Sequence, residues 1–433
     1  MPHWKRNAAL FLTGQAVTLF GSMLVHYAIM WHITLQTDSG LMVALFTAAG
    51  TLPMFFISPF AGAWADRHNK KLLINIADAS IAAVTLVLAV VFSLGCDWAG
   101  LLLVCAIMRA FGQGVQMPAV NALIPEIVPE EHLIRVNGIS GSIQSLVMFA
   151  SPMVGGALLA VAPLQTLLFI DVVTAAIGIS ILFFFVKTPV RVKKQGSEDA
   201  VKTYYHDIKE GLRYIRGHKF VRRFLVYAAL FNLMVAPAAI LTPLQVTRDW
   251  GDGVWRVFGG MSFGAEQRLA AIEVVFSVGM MLGGLVMGTW GGFKNKSRSM
   301  ALSTCLFGIG TIWLGLLTNF WGYLVCMGLV GLVMSLSQAP MTALIQTNVK
   351  PDYMGRVFSV VTMISTLAMP LGMLLWGPLG DVVAIDRLLI GSGAVVFFVG
   401  LAFVLDKIIF RAGIPANKAN EQDASTTPQS TET

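Results

Sequence analysis

Charge is scarce in this chain. Asp, Glu, Lys and Arg make up 12% of its 433 residues and hydrophobic types 56%, against a charged share of about 25% in an ordinary water-soluble domain. A soluble enzyme or binding module is excluded on that ground. Cysteine is scarce too: Cys105, Cys305 and Cys326 fall inside apolar runs and Cys96 stands alone in a short loop, so neither a disulfide framework nor a metal site is expected. Enzyme motifs are also missing. No G-x-x-x-x-G-K-[ST] phosphate loop occurs, which argues against ATP hydrolysis by this chain. Nor is there an H-E-x-x-H cluster, a paired-aspartate motif or a serine with a basic partner in register, so a membrane enzyme acting on lipids would have no machinery here. No cofactor is expected.

What the chain has instead is long apolar runs. A bilayer core roughly 30 Å thick needs about 20 apolar residues in a helix. Twelve such spans are expected, near 10–35, 41–64, 72–95, 99–121, 137–160, 164–186, 223–246, 270–292, 299–318, 321–346, 357–379 and 387–410. The first starts behind Lys5 and Arg6 and has no small-residue cleavage site at its end, so it is expected to remain as a span rather than be removed as a signal peptide. The fold class is an all-α integral membrane protein.

All but five of the 30 Lys and Arg lie in the N-terminus, the even-numbered loops or the C-terminus; the exceptions are Arg109 within span 4 and Arg248, Arg256, Arg268 and Arg387 in odd-numbered loops. By the positive-inside rule both termini face the cytoplasm. The net charge of +7 therefore reports orientation in a lipid bilayer, and nucleic-acid binding loses its main support.

The stretch Thr188–Arg222 divides the chain into an N-terminal six-helix bundle at 1–187, a cytoplasmic linker at 188–222, a C-terminal six-helix bundle at 223–410 and a tail at 411–433. The tail is rich in Ser, Thr, Gln and Asn and is expected to be disordered. Within the linker, Tyr204, Ile208, Leu212 and Ile215 recur at helical spacing among Lys209, Arg213, Arg216 and Lys219. This suits a helix lying on anionic lipid or a solvated linker helix equally. The long odd-numbered loop from Arg248 to Gln267 carries Trp250, Trp255, Phe258 and Phe263, as expected of a segment at the outer interface.

The halves echo each other. Gln116-Met117-Pro118 through Ile124 in span 4 returns as Gln338-Ala339-Pro340 through Ile345 in span 10. Gly62-Ala63-Trp64 returns as Gly288-Thr289-Trp290, and Ala150-Ser151-Pro152 as Ala368-Met369-Pro370. Matches at equivalent places imply two repeats of the same membrane orientation, with a site between them near the midplane.

Between spans 2 and 3, Gly62-x-x-x-Asp66-Arg67-x-Asn69-Lys70-Lys71 resembles the signature loop of the major facilitator superfamily, and Arg109-x-x-x-Gln113-Gly114 resembles its second motif. Within that superfamily the chain resembles the macrolide efflux proteins, through Gly14-Gln15-Ala16, the run from Asn121 to Glu131, the run from Lys350 to Ser359 and the run from Leu367 to Gly372. The resemblance implies twelve helices in two pseudo-symmetric bundles, a bacterial cytoplasmic membrane, and a conformational clasp at Gly62, Asp66, Arg67, Lys70 and Lys71. Physically, Gly62 permits close packing, Asp66 carries a negative charge to the membrane face, and Lys70 and Lys71 anchor span 3 at anionic headgroups. Asn69 stands where the family usually has glycine; asparagine also tolerates the left-handed backbone of a sharp turn.

Four charged residues fall within spans, and each asks for a partner or a function. Counting at 1.5 Å per residue, Asp78 lies about 9 Å from the cytoplasmic end, Arg109 about 16 Å, Asp171 about 24 Å and Glu273 about 28 Å. Either aspartate is within reach of Arg109. These four and His26, near mid-membrane, are the candidate coupling residues. Gln15, Asn121, Gln144, Asn232 and Gln338 are candidates for lining a substrate path. Pro237, Pro243, Pro340 and Pro370 should kink or soften their helices.

The expected activity is secondary active export of amphipathic small molecules such as macrolides, by proton antiport with alternating access. Siderophore or other metabolite export fits the same fold. A non-transporting receptor would more naturally carry a folded soluble domain.

Overall fold

The computed structural model describes residues 4–187, 209–210, 212–250, 255–256, 262–350 and 353–414. Twelve of its helices are long and apolar enough to cross a membrane. In chain order they are α1 (Trp4–Thr37), α2 (Gly40–Arg67), α3 (Lys70–Ser93), α4 (Ala99–Ile127), α5 (Leu133–Leu159), α6 (Leu164–Ser180), α7 (Lys219–Trp250), α8 (Ala265–Trp290), α9 (Lys296–Leu316), α10 (Phe320–Asn348), α11 (Met354–Val382) and α12 (Ile385–Leu405). A π turn at Ile181–Phe185 continues α6, and a short helix α13 (Lys407–Ala412) follows α12. In the loop after α7 the described strands are two residues each, with Trp255 opposite Phe263 and Arg256 opposite Ser262. Most helices overrun their apolar windows, because the backbone ladder carries on through polar residues until a cap stops it.

Those caps are legible. Ser39, Asn69, Asn295, Asn319 and Asp406 each accept a hydrogen bond from a first-turn backbone N–H of the helix that follows. Asn69 corrects one expectation: its φ is −67°, not left-handed, and its side chain accepts from the Leu72 N–H. The position needs an acceptor for α3 rather than conformational freedom. Asn295 does the same for α9 in the second half, where Gly291 and Gly292 take the positive φ angles of 69° and 78°. Asp406 ends α12 four residues or so short of the expected boundary, by capping the separate helix α13.

The chain folds into two compact units that interleave along the sequence. The first comprises Met1–Tyr205, Ala239–Val274 and Met373–Val383; the second comprises His206–Ala238, Val275–Gly372 and Ala384–Thr433. Helices α7, α8 and α11 thus give one end to each.

In the first unit α1 packs along α5 and α6, α2 along α4, and α3 along α4 and α6. Apolar burial against lipid tails gains little, so close backbone approach carries more of the stability. A Cβ at Gly21 of α1 would collide with Thr174 and press on Asp171, and one at Gly178 of α6 would collide with Thr18. One end of this unit is closed by Phe11, Ile74, Leu123, Ile124 and Val186.

In the second unit α9 packs along α10 and α12. Its core gathers Phe224, Val357, Val360 and Phe403 around Tyr214 and Ile215. Residues 212–217 are helical; of the expected stripe Leu212 is exposed and Ile215 is buried in the protein core, beside Tyr214, which stacks on Tyr353 with ring centres 4.6 Å apart. Tyr204 and Ile208 lie outside the described residues. Helix α13 is fastened by Ser297 Oγ donating to the Ile409 carbonyl (2.7 Å), by Asn348 Nδ2 donating to the Ala412 carbonyl (3.0 Å), and by Asp406 accepting from Arg223 Nη1 (2.7 Å).

Candidate functional site

The first unit holds a buried charged cluster. Arg109 on α4 and Asp171 on α6 are 5% and 1% exposed, and Arg109 Nη1 meets Asp171 Oδ2 at 2.5 Å. Thr85 on α3 bonds to both, and Ser22 on α1 donates weakly to Asp171 Oδ1 at 3.4 Å. Four helices therefore converge on one ion pair. Of the two aspartates within reach, the guanidinium takes Asp171. Asp78, 1% exposed, accepts instead from Gln116 Nε2 at 2.7 Å, and its other oxygen has no hydrogen-bond partner among the described residues. A paired, desolvated charge is expensive to expose, and this one ties α4 to α6.

Glu273 is situated differently. It is half-buried about two turns into α8, with no hydrogen bond or ion pair to it among the described residues. The neighbouring wall of α1 is aromatic. His26 stacks on Phe46 of α2 with ring centres 5.4 Å apart, Tyr27 leans on Trp31 at 5.6 Å, and Trp31 is fully buried. His26 lies within electrostatic reach of Arg109, and Tyr27 within reach of Glu273. One turn of α1 thus runs from the closed ion pair to a carboxylate that makes no ion pair among the described residues.

The amides expected along a path divide into two kinds. Asn121, Gln144 and Gln338 are exposed, and Gln15 is half-buried. An exposed amide at bilayer depth is tolerated where it meets water rather than hydrocarbon, which suits an aqueous route. Asn232 turns back to donate to the Ala228 carbonyl of its own helix at 2.8 Å.

At the expected clasp, the side chains of Gly62, Asp66 and Arg67 lie outside those described. Lys70 and Lys71 depart from the expected role at lipid headgroups. Lys70 is 5% exposed and pairs with Glu126 at 2.7 Å, and Lys71 Nζ donates to the Val186 carbonyl at 2.7 Å. Both ammonium groups are tied to the end of their own bundle, because each long stem can reach an anionic or carbonyl partner before it reaches lipid.

A second ionic cluster, missed in the sequence, joins the α1–α2 turn to the ends of α7 and α11 within the first unit. Asp381 accepts from the Gly40 N–H (2.7 Å), the Leu41 N–H (3.0 Å) and Ser39 Oγ (3.0 Å). Arg248 gives Nε to Asp38 Oδ1 (3.1 Å), Nη2 to the Asp38 carbonyl (2.7 Å) and Asp381 Oδ1 (3.2 Å), and Nη1 to the Gly380 carbonyl (2.7 Å). Asp38 makes this possible by adopting a φ of 44°, which aspartate tolerates better than most residues. The one signal available beforehand was Arg248 itself, a cation against the positive-inside bias.

Comparison with known proteins agrees with this architecture. The model of the Major Facilitator Superfamily matches residues 8–373. Macrolide efflux protein A of Streptococcus pyogenes is 29% identical over 401 residues, covering 92% of this chain and 95% of that protein. Macrolide efflux protein A of Enterococcus faecalis is 31% identical over 334 residues, covering 77% of this chain and 99% of that protein. Among solved structures, the nucleoside transporter NupG superposes with a TM-score of 0.71 at 14% identity, covering 93% of this chain and 99% of the other.

Proposed function

The chain belongs to the major facilitator superfamily, and from that premise we propose that it is a secondary active exporter of amphipathic small molecules, macrolides among them, driven by proton antiport. Both termini face the cytoplasm of a bacterial cell, which puts the Arg248 cluster at the outer face. The observation that carries the coupling is Glu273: Arg109 and Asp171 neutralise each other, whereas Glu273 makes no ion pair among the described residues.

A carboxylate of this kind holds a proton or a cationic amine, but not both. Cargo entering from the inner side displaces the proton; reprotonation from the outer side releases the cargo. Exchanging one proton for one monovalent cation moves no net charge, so the pH difference drives the cycle, at about 1.4 kcal/mol per unit. Exposed Asn121, Gln144 and Gln338, with half-buried Gln15, offer hydrogen bonds along the route. Asp66 and Arg67 act as the clasp on the inner side when that side is closed.

The test is accumulation of radiolabelled erythromycin in an efflux-deficient bacterium. Wild type lowers accumulation, a protonophore restores it, and Glu273→Gln matches the empty vector. If well-expressed wild type leaves accumulation unchanged, the macrolide reading falls and siderophores become the next cargo to try.

A further inference from the structure

A cavity of about 500 Å³ opens in the first unit, away from Glu273, among the end of α1, the α3–α4 turn, the α5–α6 turn and the start of α8. Among the described residues its carboxylates come from two elements. Asp97 stands on the α3–α4 turn and Glu266 in the first turn of α8, and among the described residues neither Lys nor Arg lines the space. His32 of α1 lies between, its ring edge-on to Phe92 with centres 6.1 Å apart. Leu35 and Leu164 supply apolar wall, and Gln165 is held in place by donating to the Phe92 carbonyl at 3.1 Å.

Packing of α8 on α5 fixes the position of Glu266. A Cβ at Gly156 of α5 would overlap Ala270 of α8 and come within 3.1 Å of the Glu266 carbonyl. The start of α8 is therefore pressed directly against α5, which fixes Glu266 on the cavity rim. Asp97 faces from a separate element with its own turn, one residue after Cys96.

We propose that this cavity is a second binding site, for an organic cation with a bulky apolar body. The volume falls within the range of roughly 300–1,000 Å³ typical of drug-sized pockets. Carboxylates on two elements select a positive head, and the leucines accept the apolar body. An uncharged compound of the same size would gain only the apolar wall. The site does not depend on transport, so it stands or falls apart from the export reading.

Cys96 provides the reporter. It is exposed, whereas Cys105 and Cys326 are buried and Cys305 half-buried, so a bimane label can be directed beside Asp97 in the full-length protein in nanodiscs. The probe is tetraphenylphosphonium, whose charge does not titrate. Saturable change in bimane emission is expected in wild type, and in Glu273→Gln at the same affinity. In Asp97→Asn/Glu266→Gln the affinity should drop at least tenfold, with monodisperse elution as the control for folding. Asp97→Asn alone, on an exposed turn, gives the same direction without risk to the fold. The proposal is overturned if wild type shows no saturable change, if the double variant binds as wild type does, or if neutral triphenylphosphine oxide competes equally. Loss of binding in Glu273→Gln would also overturn it, by placing the cation at the transport site. Failure of erythromycin efflux leaves this outcome untouched.

Discussion

Asp381, at the last turn of α11, accepts the backbone N–H of Gly40 at 2.7 Å and so caps the start of α2, a helix 341 positions away in sequence. The carboxylate satisfies orphan donors that α2 would otherwise leave bare and sits at the positive end of that helix. Arg248 then bonds to the same carboxylate, so that α2, α7 and α11 end on one shared group.

Breaking that group should loosen the α1–α2 turn. Asp381→Asn removes the charge, a loss of about 1.5 kcal/mol and close to tenfold in the population that keeps the turn fastened. Leu244 is fully buried beneath the turn. In a Cys96→Ser background, Leu244→Cys should react several-fold faster with an impermeant maleimide once Asp381→Asn is added. An unchanged rate would mean that packing alone holds the turn.

The Arg109–Asp171 pair should be more costly to break than to replace. Removing one partner by Arg109→Ala or Asp171→Asn leaves a buried charge or donor unmatched, at about 3–5 kcal/mol. Exchanging both, Arg109→Met with Asp171→Leu, should recover most of the loss in melting temperature. Equal damage from single and double variants would show that Thr85 and Ser22 need the charges in place.

Asp406 gives a pH dependence outside the spans. Burial alone would raise its carboxyl, but the hydrogen bonds from Arg223 and the Ile408 N–H overcome that and hold it below the usual carboxylate range. A depressed folded-state value stabilises the protein above the ordinary carboxylate range, and the contribution disappears as the pH falls through it. The melting temperature of Asp406→Asn should therefore lie below that of wild type at neutral pH and converge on it below about pH 4. A gap that persists in acid would assign the effect to geometry rather than charge.

The two capping asparagines predict a graded series. Asn69→Ala should cost about 1 kcal/mol in stability, and Asn69→Gly only a few tenths. Asn295→Ala should cost more than Asn69→Ala, because Asn295 Nδ2 also donates to the Phe410 carbonyl at 3.3 Å. Thermal melts of the four proteins in one detergent decide it.

Hydropathy made the twelve helices legible, and the runs from Gly62 to Lys71 and Arg109 to Gly114 carried the family resemblance, since both depend on residues close together along the chain. The partners of charged groups were less so. Counting depth placed Arg109 between two aspartates, but depth carries no information about which way a helix faces, and that azimuth is what sends Asp78 to Gln116 and Asp171 to Arg109. The Lys70 and Lys71 roles were misread for a related reason: a basic residue at a helix start reads as a headgroup anchor until Glu126 and the Val186 carbonyl are seen beside it. Asp38, Arg248 and Asp381 were hidden because each looks like an ordinary loop charge on its own.

The first unit is completed by residues Ala239–Val274 and Met373–Val383, far along the chain from the rest of it. A fragment ending in the linker therefore carries an unfinished fold, with the donors of Gly40 and Leu41 uncapped and no Arg248 for Asp38. Cut there, the gene becomes a complementation pair: the two halves, made as separate polypeptides in one cell, have reason to find each other without any added tether.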